Sequence, residues 1–407
     1  MTTFVTLVLI GCSALLFLPV ATLFLEVIAS LFVKKGSTPD TSERELQRYS
    51  ASCPPFAVLI PAHNEEKMIA ATVHPLLSQV RDRDRILIVA DNCSDGTADI
   101  ARALGAEVIE RSDSERRGKG YALEFGLDHL AKGDPPAAIV FVDADCRISE
   151  GGLLKLAALA CDRNGPIQGR NLSLAEGDPK GARGLGARFS EFAVRLKNYV
   201  RPLGCLQLGI PCPMTGTGMA VPWGRLQSIN LGSATLAEDL VLGIDLALSG
   251  EAATYCPDVV ITSALPSSDA GQLKQRTRWE QGYLLAIRQG VPKILSHAMQ
   301  KRSGSLLGLA LDLAILPLSL LVALQVALTL PAFAWFLVSG HAGALVLQAL
   351  SLSLFTLTIG TVWLLHGRDL LSLSDLFYAP VYMVRKVPIY IGIVSGRTIG
   401  WVRADRN

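Results

Sequence analysis

The apolar residues of this chain gather into three charge-poor runs, and these constrain its fold more than any other feature. Residues 4–33 carry one charge, Glu26, with Pro19 as the one breaker. Residues 306–338 carry only Asp312, and residues 343–365 carry none. Each run reaches the roughly 20 residues that a helix needs to cross a bilayer core. The 407 residues are 50% hydrophobic and 18% charged, too apolar for an ordinary soluble enzyme. Between the first two runs lies a mixed polar region long enough for one sizeable domain. A soluble domain held between membrane helices is expected. The first run lacks a basic leading segment and is about twice the length of a signal-peptide core, so it reads as an anchor.

Basic residues set the orientation. Lys34, Lys35, Arg44 and Arg48 follow the first run, and Lys301 and Arg302 precede the second. Both clusters flank the central region, which the positive-inside rule places in the cytoplasm. His366, Arg368, Arg385, Lys386, Arg397, Arg403 and Arg406 put the C-terminus on the same side. The expected organisation is a transmembrane helix in 1–36, a cytoplasmic domain in 52–300, a transmembrane hairpin in 304–366, and an interfacial helix with a basic tail in 370–407. That is a multi-pass protein of the inner (plasma) membrane. Residues 377–396 are also apolar, but Arg385 and Lys386 at their centre favour an interfacial helix over a fourth span. The spans show neither the repeats nor the intramembrane polar sites of a transporter. Eight cysteines form no C-x-x-C pair and no zinc-spaced set with histidine, so free thiols without structural zinc are expected. A net charge of +2 with no concentrated basic face argues against a nucleic-acid partner.

Within the central region, short apolar runs alternate with helical stretches. Strands are expected at 56–60, 85–90, 106–110 and 137–142, and helices at 66–79, 97–104, 119–131 and 150–161. This is the pattern of an α/β domain with a mostly parallel sheet, in which ligands bind beyond the C-terminal strand ends. Three acidic clusters fall there: Pro61-Ala62-His63-Asn64-Glu65-Glu66, Asp91-Asn92-Cys93-Ser94-Asp95-Gly96-Thr97 and Asp143-Ala144-Asp145. Asp95-Gly96-Thr97 by itself would be only a helix cap. Asp143 and Asp145 are two residues apart at a strand end, so both carboxylates can point the same way and suit Mg2+ or Mn2+.

These motifs, followed by Glu238-Asp239 and Gln275-Arg276-Thr277-Arg278-Trp279, resemble family 2 glycosyltransferases. The order is similar to the membrane-bound branch with cellulose, hyaluronan and chitin-oligosaccharide synthases, over roughly residues 54–300. The resemblance implies a GT-A fold, an inverting mechanism and a UDP-sugar donor. It implies that Pro61, Glu65 and Asp91 hold the ribose and uracil, that Lys119 lies near the nucleotide, and that Asp143 and Asp145 hold the metal and diphosphate. Asp239 is similar to the general base of that family, although two acids at a helix start also complement a helix dipole. Gln275, Arg278 and Trp279 share one helix face: Gln275 and Arg278 would meet the donor, and Trp279 an acceptor sugar. Trp279 would equally suit an interfacial anchor. Gly216 and Thr217, in the small-residue loop Met214–Ala220, resemble the acceptor side. One departure is Ala90, where the family often has a second aspartate. The implied acceptor is a growing saccharide or polyprenyl-linked glycan at the bilayer. Single-sugar addition is favoured over processive polymerisation with secretion, because three spans give few helices to line a channel. A non-catalytic membrane subunit that keeps the fold is the alternative from another class; the retained Asp91, Asp143, Asp145 and Asp239 argue against it.

Overall fold

The structure is a computed structural model that describes residues 2–33, 43–174, 184–227, 229, 231–232, 237–265 and 269–394. Lys34, Lys35, Arg397, Arg403 and Arg406 of the basic flanks lie outside these. The chain divides into two compact units, one of residues 1–33, 177–210 and 287–400, the other of 34–176, 211–286 and 401–407.

In the second unit eight strands form one sheet: β1 Phe56–Ala62, β2 Arg85–Asp91, β3 Glu107–Arg111, β4 Ala138–Phe141, β5 Cys146–Ile148, β6 Ile167–Leu174, β7 Met219–Pro222 and β8 Thr254–Ala264. Their order is β3-β2-β1-β4-β7-β6-β8-β5. The first four are mutually parallel; β1, β2 and β4 are near-continuous apolar runs, as befits strands buried on both faces, and β3 lies at the sheet edge. The expected helices form as Ile69–Leu77, Thr97–Ala103, Lys119–Leu130 and Gly152–Arg163. β7 joins antiparallel to β4 and β6. β6 and β8 are parallel, with a register shift between Gly169 and Arg170 where β8 passes Pro257. Proline has no N–H to give the ladder, so a bulge is the expected outcome.

Among the described residues of the first unit, three helices are long and apolar enough to cross a membrane: Thr2–Ser30, Leu318–Ser339 and Gly343–His366. The run 306–338 is not one helix. It breaks after the short apolar helix Gly304–Leu313, and Pro317 caps the next one. The 377–396 segment is likewise divided, into Ala379–Val384 and Val387–Val394, with Arg385 and Lys386 at the break. Lys386 lies over the Tyr382 ring and Arg385 over Tyr378. Neither piece is long enough to span.

Residues 184–210 and 287–300, read from the sequence as part of the soluble domain, group with the helical unit. The reason is both apolar and ionic. Phe189, Phe192, Leu196 and Val200 share one buried cluster with Val20, Leu23 and Val27. The lone charges of the first two apolar runs meet at one guanidinium: Arg201 donates to Glu26 Oε2 at 3.0 Å and to Asp312 Oδ1 at 2.6 Å. Gly204 permits this approach, since a Cβ there would lie 2.0 Å from the Glu26 carbonyl oxygen.

Buried positions on the Gly343–His366 helix, namely Ala344, Gln348, Ser351, Phe355, Thr358 and Val362, alternate in spacings of four and three. That is the seam of a left-handed helix pair. It holds a polar layer that the sequence reading did not expect. Ser13, Gln325, Gln348 and Ser351 are all fully buried. Among the described residues, the hydroxyls of both serines and both amide atoms of each glutamine lack hydrogen-bond partners. Removing polar groups that are already unpaired forfeits no bond. Gln325→Leu with Gln348→Leu is therefore expected to leave the protein folded in detergent, with a melting temperature equal to or above that of the parent. A clear drop would show that the amides are paired in the working protein.

Candidate active site

The parallel strands end along one edge, and their loops are tied together there. The Glu65 amide donates to Thr97 Oγ1 at 2.7 Å, and the Ser94 amide to Asn64 Oδ1 at 2.7 Å. Gly96 N donates to Glu66 Oε2 at 3.1 Å, and Asp95 takes the Glu66 amide at 3.2 Å. Asp95 also accepts from Thr97 N at 3.1 Å, so it is a turn-forming residue. Asn64 and Asn92 both adopt left-handed backbone angles, φ 56 and 51, which asparagine tolerates better than most residues.

Asp91 ends β2 and is buried. Its register partner on β3 is Arg111, whose Nη1 lies 2.6 Å from Asp91 Oδ1. Asn92 Nδ2 donates to the same oxygen at 3.0 Å, and His63 Nδ1 contacts the Asp91 carbonyl at 2.7 Å. Arg111 escaped the sequence reading. Its one signal was position: it closes the third strand just as Asp91 closes the second.

The second cluster brings four motifs together. Lys119, first residue of the Lys119–Leu130 helix, places Nζ 2.5 Å from Asp143 Oδ1, 2.8 Å from the Gly216 carbonyl oxygen and 3.6 Å from Glu238 Oε1. Gly216 has φ +83, and a Cβ there would come within 3.2 Å of Asp239 Oδ2 and 3.4 Å of Lys119 Nζ. Only glycine fits both that backbone angle and that crowding. Thr217 Oγ1 accepts from the Asp143 amide at 3.1 Å. The loop is braced from behind by buried Gln168, which donates to Thr217 O at 3.0 Å and accepts from Thr215 N at 2.8 Å. Gln168 had no recognisable signal, being one polar residue in a β-strand.

Electrostatics follow from this crowding. Burial works against the Lys119 charge, but Asp143, Glu238 and Asp239 outweigh it and hold the ammonium firmly protonated. Burial, reinforced by Asp145 and opposed by Lys119, raises the Asp143 carboxyl. Asp143, Asp145 and Cys146 each offer a ligand atom, all within 4.8 Å of one another. Burial, Asp145 and Asp143 push the Cys146 thiol well up, and a neutral thiol is a poor ligand. What remains is a pair of carboxylates, a donor set that fits a hard divalent cation.

Gln275, Arg278 and Trp279 lie on the Asp269–Lys301 helix. Gln275 is buried, Arg278 half-buried and Trp279 exposed. Pro61 ends β1 beside Ala62, in register with Val89 of β2.

The sequence matches the family described as "Glycosyltransferase like family 2" over residues 54–282. It is 24% identical over 286 residues to the "Probable glycosyltransferase YdaM" of Bacillus subtilis (strain 168), covering 66% of each chain. It is 35% identical over 93 residues to the "4,4'-diaponeurosporenoate glycosyltransferase" of Staphylococcus aureus (strain USA300), covering 22% of this chain and 24% of that protein. The match thus spans just under two thirds of the first relative and about a quarter of the second. Among solved structures, the mannosyltransferase PcManGT from Pyrobaculum calidifontis in complex with GDP-Man and Mn2+ aligns with 16% identity and a TM-score of 0.49, covering 94% of this chain and 100% of that one.

Proposed function

Since the chain belongs to glycosyltransferase like family 2, we propose that it is an inverting enzyme that moves a hexose or N-acetylhexosamine from a UDP-sugar to a lipid-linked or growing saccharide at the cytoplasmic face of the inner membrane. The observation that carries this reading is the meeting of Asp143, Lys119, Gly216 and the Glu238–Asp239 pair within a few ångströms. A carboxylate suited to a cation, a phosphate-seeking ammonium and a second acidic pair side by side are what glycosyl transfer needs.

Pro61, Glu65 and Asp91 receive the uracil and ribose, and Arg111 fixes the Asp91 carboxylate in advance. Lys119, Gln275 and Arg278 face the diphosphate, and Asp143 and Asp145 hold the Mg2+ or Mn2+. That cation supplies positive charge to the departing nucleoside diphosphate. Gly216, Thr217 and Trp279 receive the acceptor. Asp239 takes the proton from the acceptor hydroxyl as its oxygen attacks the anomeric carbon. The bond from that carbon to the diphosphate breaks on the opposite face, which inverts the configuration.

Purified protein with Mn2+, membrane lipid extract and radiolabelled nucleotide sugars tests the reading. GDP-sugars belong in the panel, because a carboxylate that accepts from uracil N–H can also accept from guanine N–H. Lipid-extractable label from a UDP-sugar is expected, and no transfer from any donor would refute the assignment. The cytoplasmic placement is tested separately. A cysteine introduced at Glu150, which is exposed, should resist an impermeant thiol reagent in intact cells and react after lysis. Labelling of intact cells would reverse the topology.

A further inference from the structure

Lys119 is gripped by three elements of the sheet unit: the end of β4 through Asp143, the loop before β7 through the Gly216 carbonyl, and the start of the Glu238–Leu248 helix through Glu238. Resting on the transfer reading above, we propose that Lys119 is a built-in rival of the divalent cation for Asp143, handed over to the donor's diphosphate, so that cation and donor bind cooperatively rather than independently.

Three observations lead there. The ammonium sits 2.5 Å from Asp143 Oδ1 and so occupies one of the acceptor positions of that carboxylate. A divalent cation on the same carboxylate would be a close neighbour of the ammonium, and their like charges repel. Nor is the lysine a passing surface contact, because a carbonyl and a second carboxylate hold it as well. The third observation is its place on the first turn of the twelve-residue Lys119–Leu130 helix. A helix N-terminus favours anions, so a diphosphate there offers the ammonium new acceptors beside its present ones. The lysine keeps its proton throughout; only its partner changes. Asp143 is then released to the cation. By linkage, whatever the donor adds to cation affinity, the cation adds to donor affinity.

The test is Mn2+ binding to the full-length protein, read by electron paramagnetic resonance with and without UDP. Lys119→Met removes the charge at similar size and is expected to bind Mn2+ alone about tenfold more tightly than the parent, within the usual range of coupling. It should then gain little from UDP, whereas Lys119→Arg, which keeps the charge, should stay near the parent. Equal or weaker Mn2+ binding by Lys119→Met would overturn the rivalry. Should that variant fold poorly by its melting curve, Lys119→Gln takes its place, and Mn2+ binding no tighter than the parent's would end the proposal. Asp145→Asn separates the two levels of inference. If it leaves Mn2+ affinity unchanged, the cation site itself is misplaced; if it weakens Mn2+ while Lys119→Met does nothing, only the lysine's role fails.

Discussion

Asp239→Asn should lower sugar transfer by at least about 10²-fold while UDP affinity stays within a few-fold, because a positioned base contributes on the order of 10²–10⁴ in rate. The side chain keeps its shape and loses only the capacity to take a proton. Asp239 stands in the first turn of the Glu238–Leu248 helix, and Gly216 is bare enough to let its carboxylate approach Lys119. On the proposed reading the donor is held elsewhere, by Glu65, Asp91 and the Asp143–Asp145 pair, so its affinity is expected to change little. A purely structural role makes a different forecast. Losing one acid from a helix start costs about 0.3–1 kcal/mol, enough to lower the melting temperature slightly and too little to change the turnover of folded protein. Turnover, UDP affinity and melting temperature measured on one preparation therefore discriminate. Near-normal turnover would remove Asp239 as the base and turn attention to Glu238, whose carboxylate lies 3.6 Å from Lys119.

The sequence was most readable where burial on both faces left little choice. β1, β2 and β4 stood out as apolar runs followed by acidic loops, and the structure sets those loops along one edge. β5 is three residues long and β7 four, too short for any periodicity to register. β8 was masked by Pro257 and its bulge. Among the site residues, those that end a strand or form a motif were visible. Arg111 and Gln168 were not, since their importance lies in register and bracing, which pairing across strands creates. The same limit explains the helical unit. Glu26 and Asp312 were visible as isolated charges in apolar runs. Their partner Arg201 lies more than a hundred residues from either, so nothing local in the sequence ties its segment to theirs. Gln325 and Gln348 were invisible for the opposite reason: a lone amide barely lowers the hydropathy of a long apolar helix.

Asp143→Asn and Asp145→Asn should each weaken Mn2+-dependent UDP binding by at least about tenfold, since a bond to a charged group is worth roughly 1.5–3 kcal/mol. Each variant removes one of the two carboxylates that the described residues offer at the proposed site. Calorimetry with and without Mn2+ isolates the effect, because the base and ribose contacts proposed for Asp91 and Glu65 would persist in both variants. Acid should imitate the substitution. The Asp143 carboxyl is raised, first by burial and then by Asp145, so it takes up a proton at a pH above the ordinary aspartate range. A protonated carboxyl is a poor cation ligand, so Mn2+-dependent binding should be full near neutrality and fade as the pH falls, before ordinary surface aspartates titrate. In Asp143→Asn this acid-sensitive component should vanish along with the affinity. Undiminished Mn2+-dependent binding in both variants would place the cation away from the end of β4.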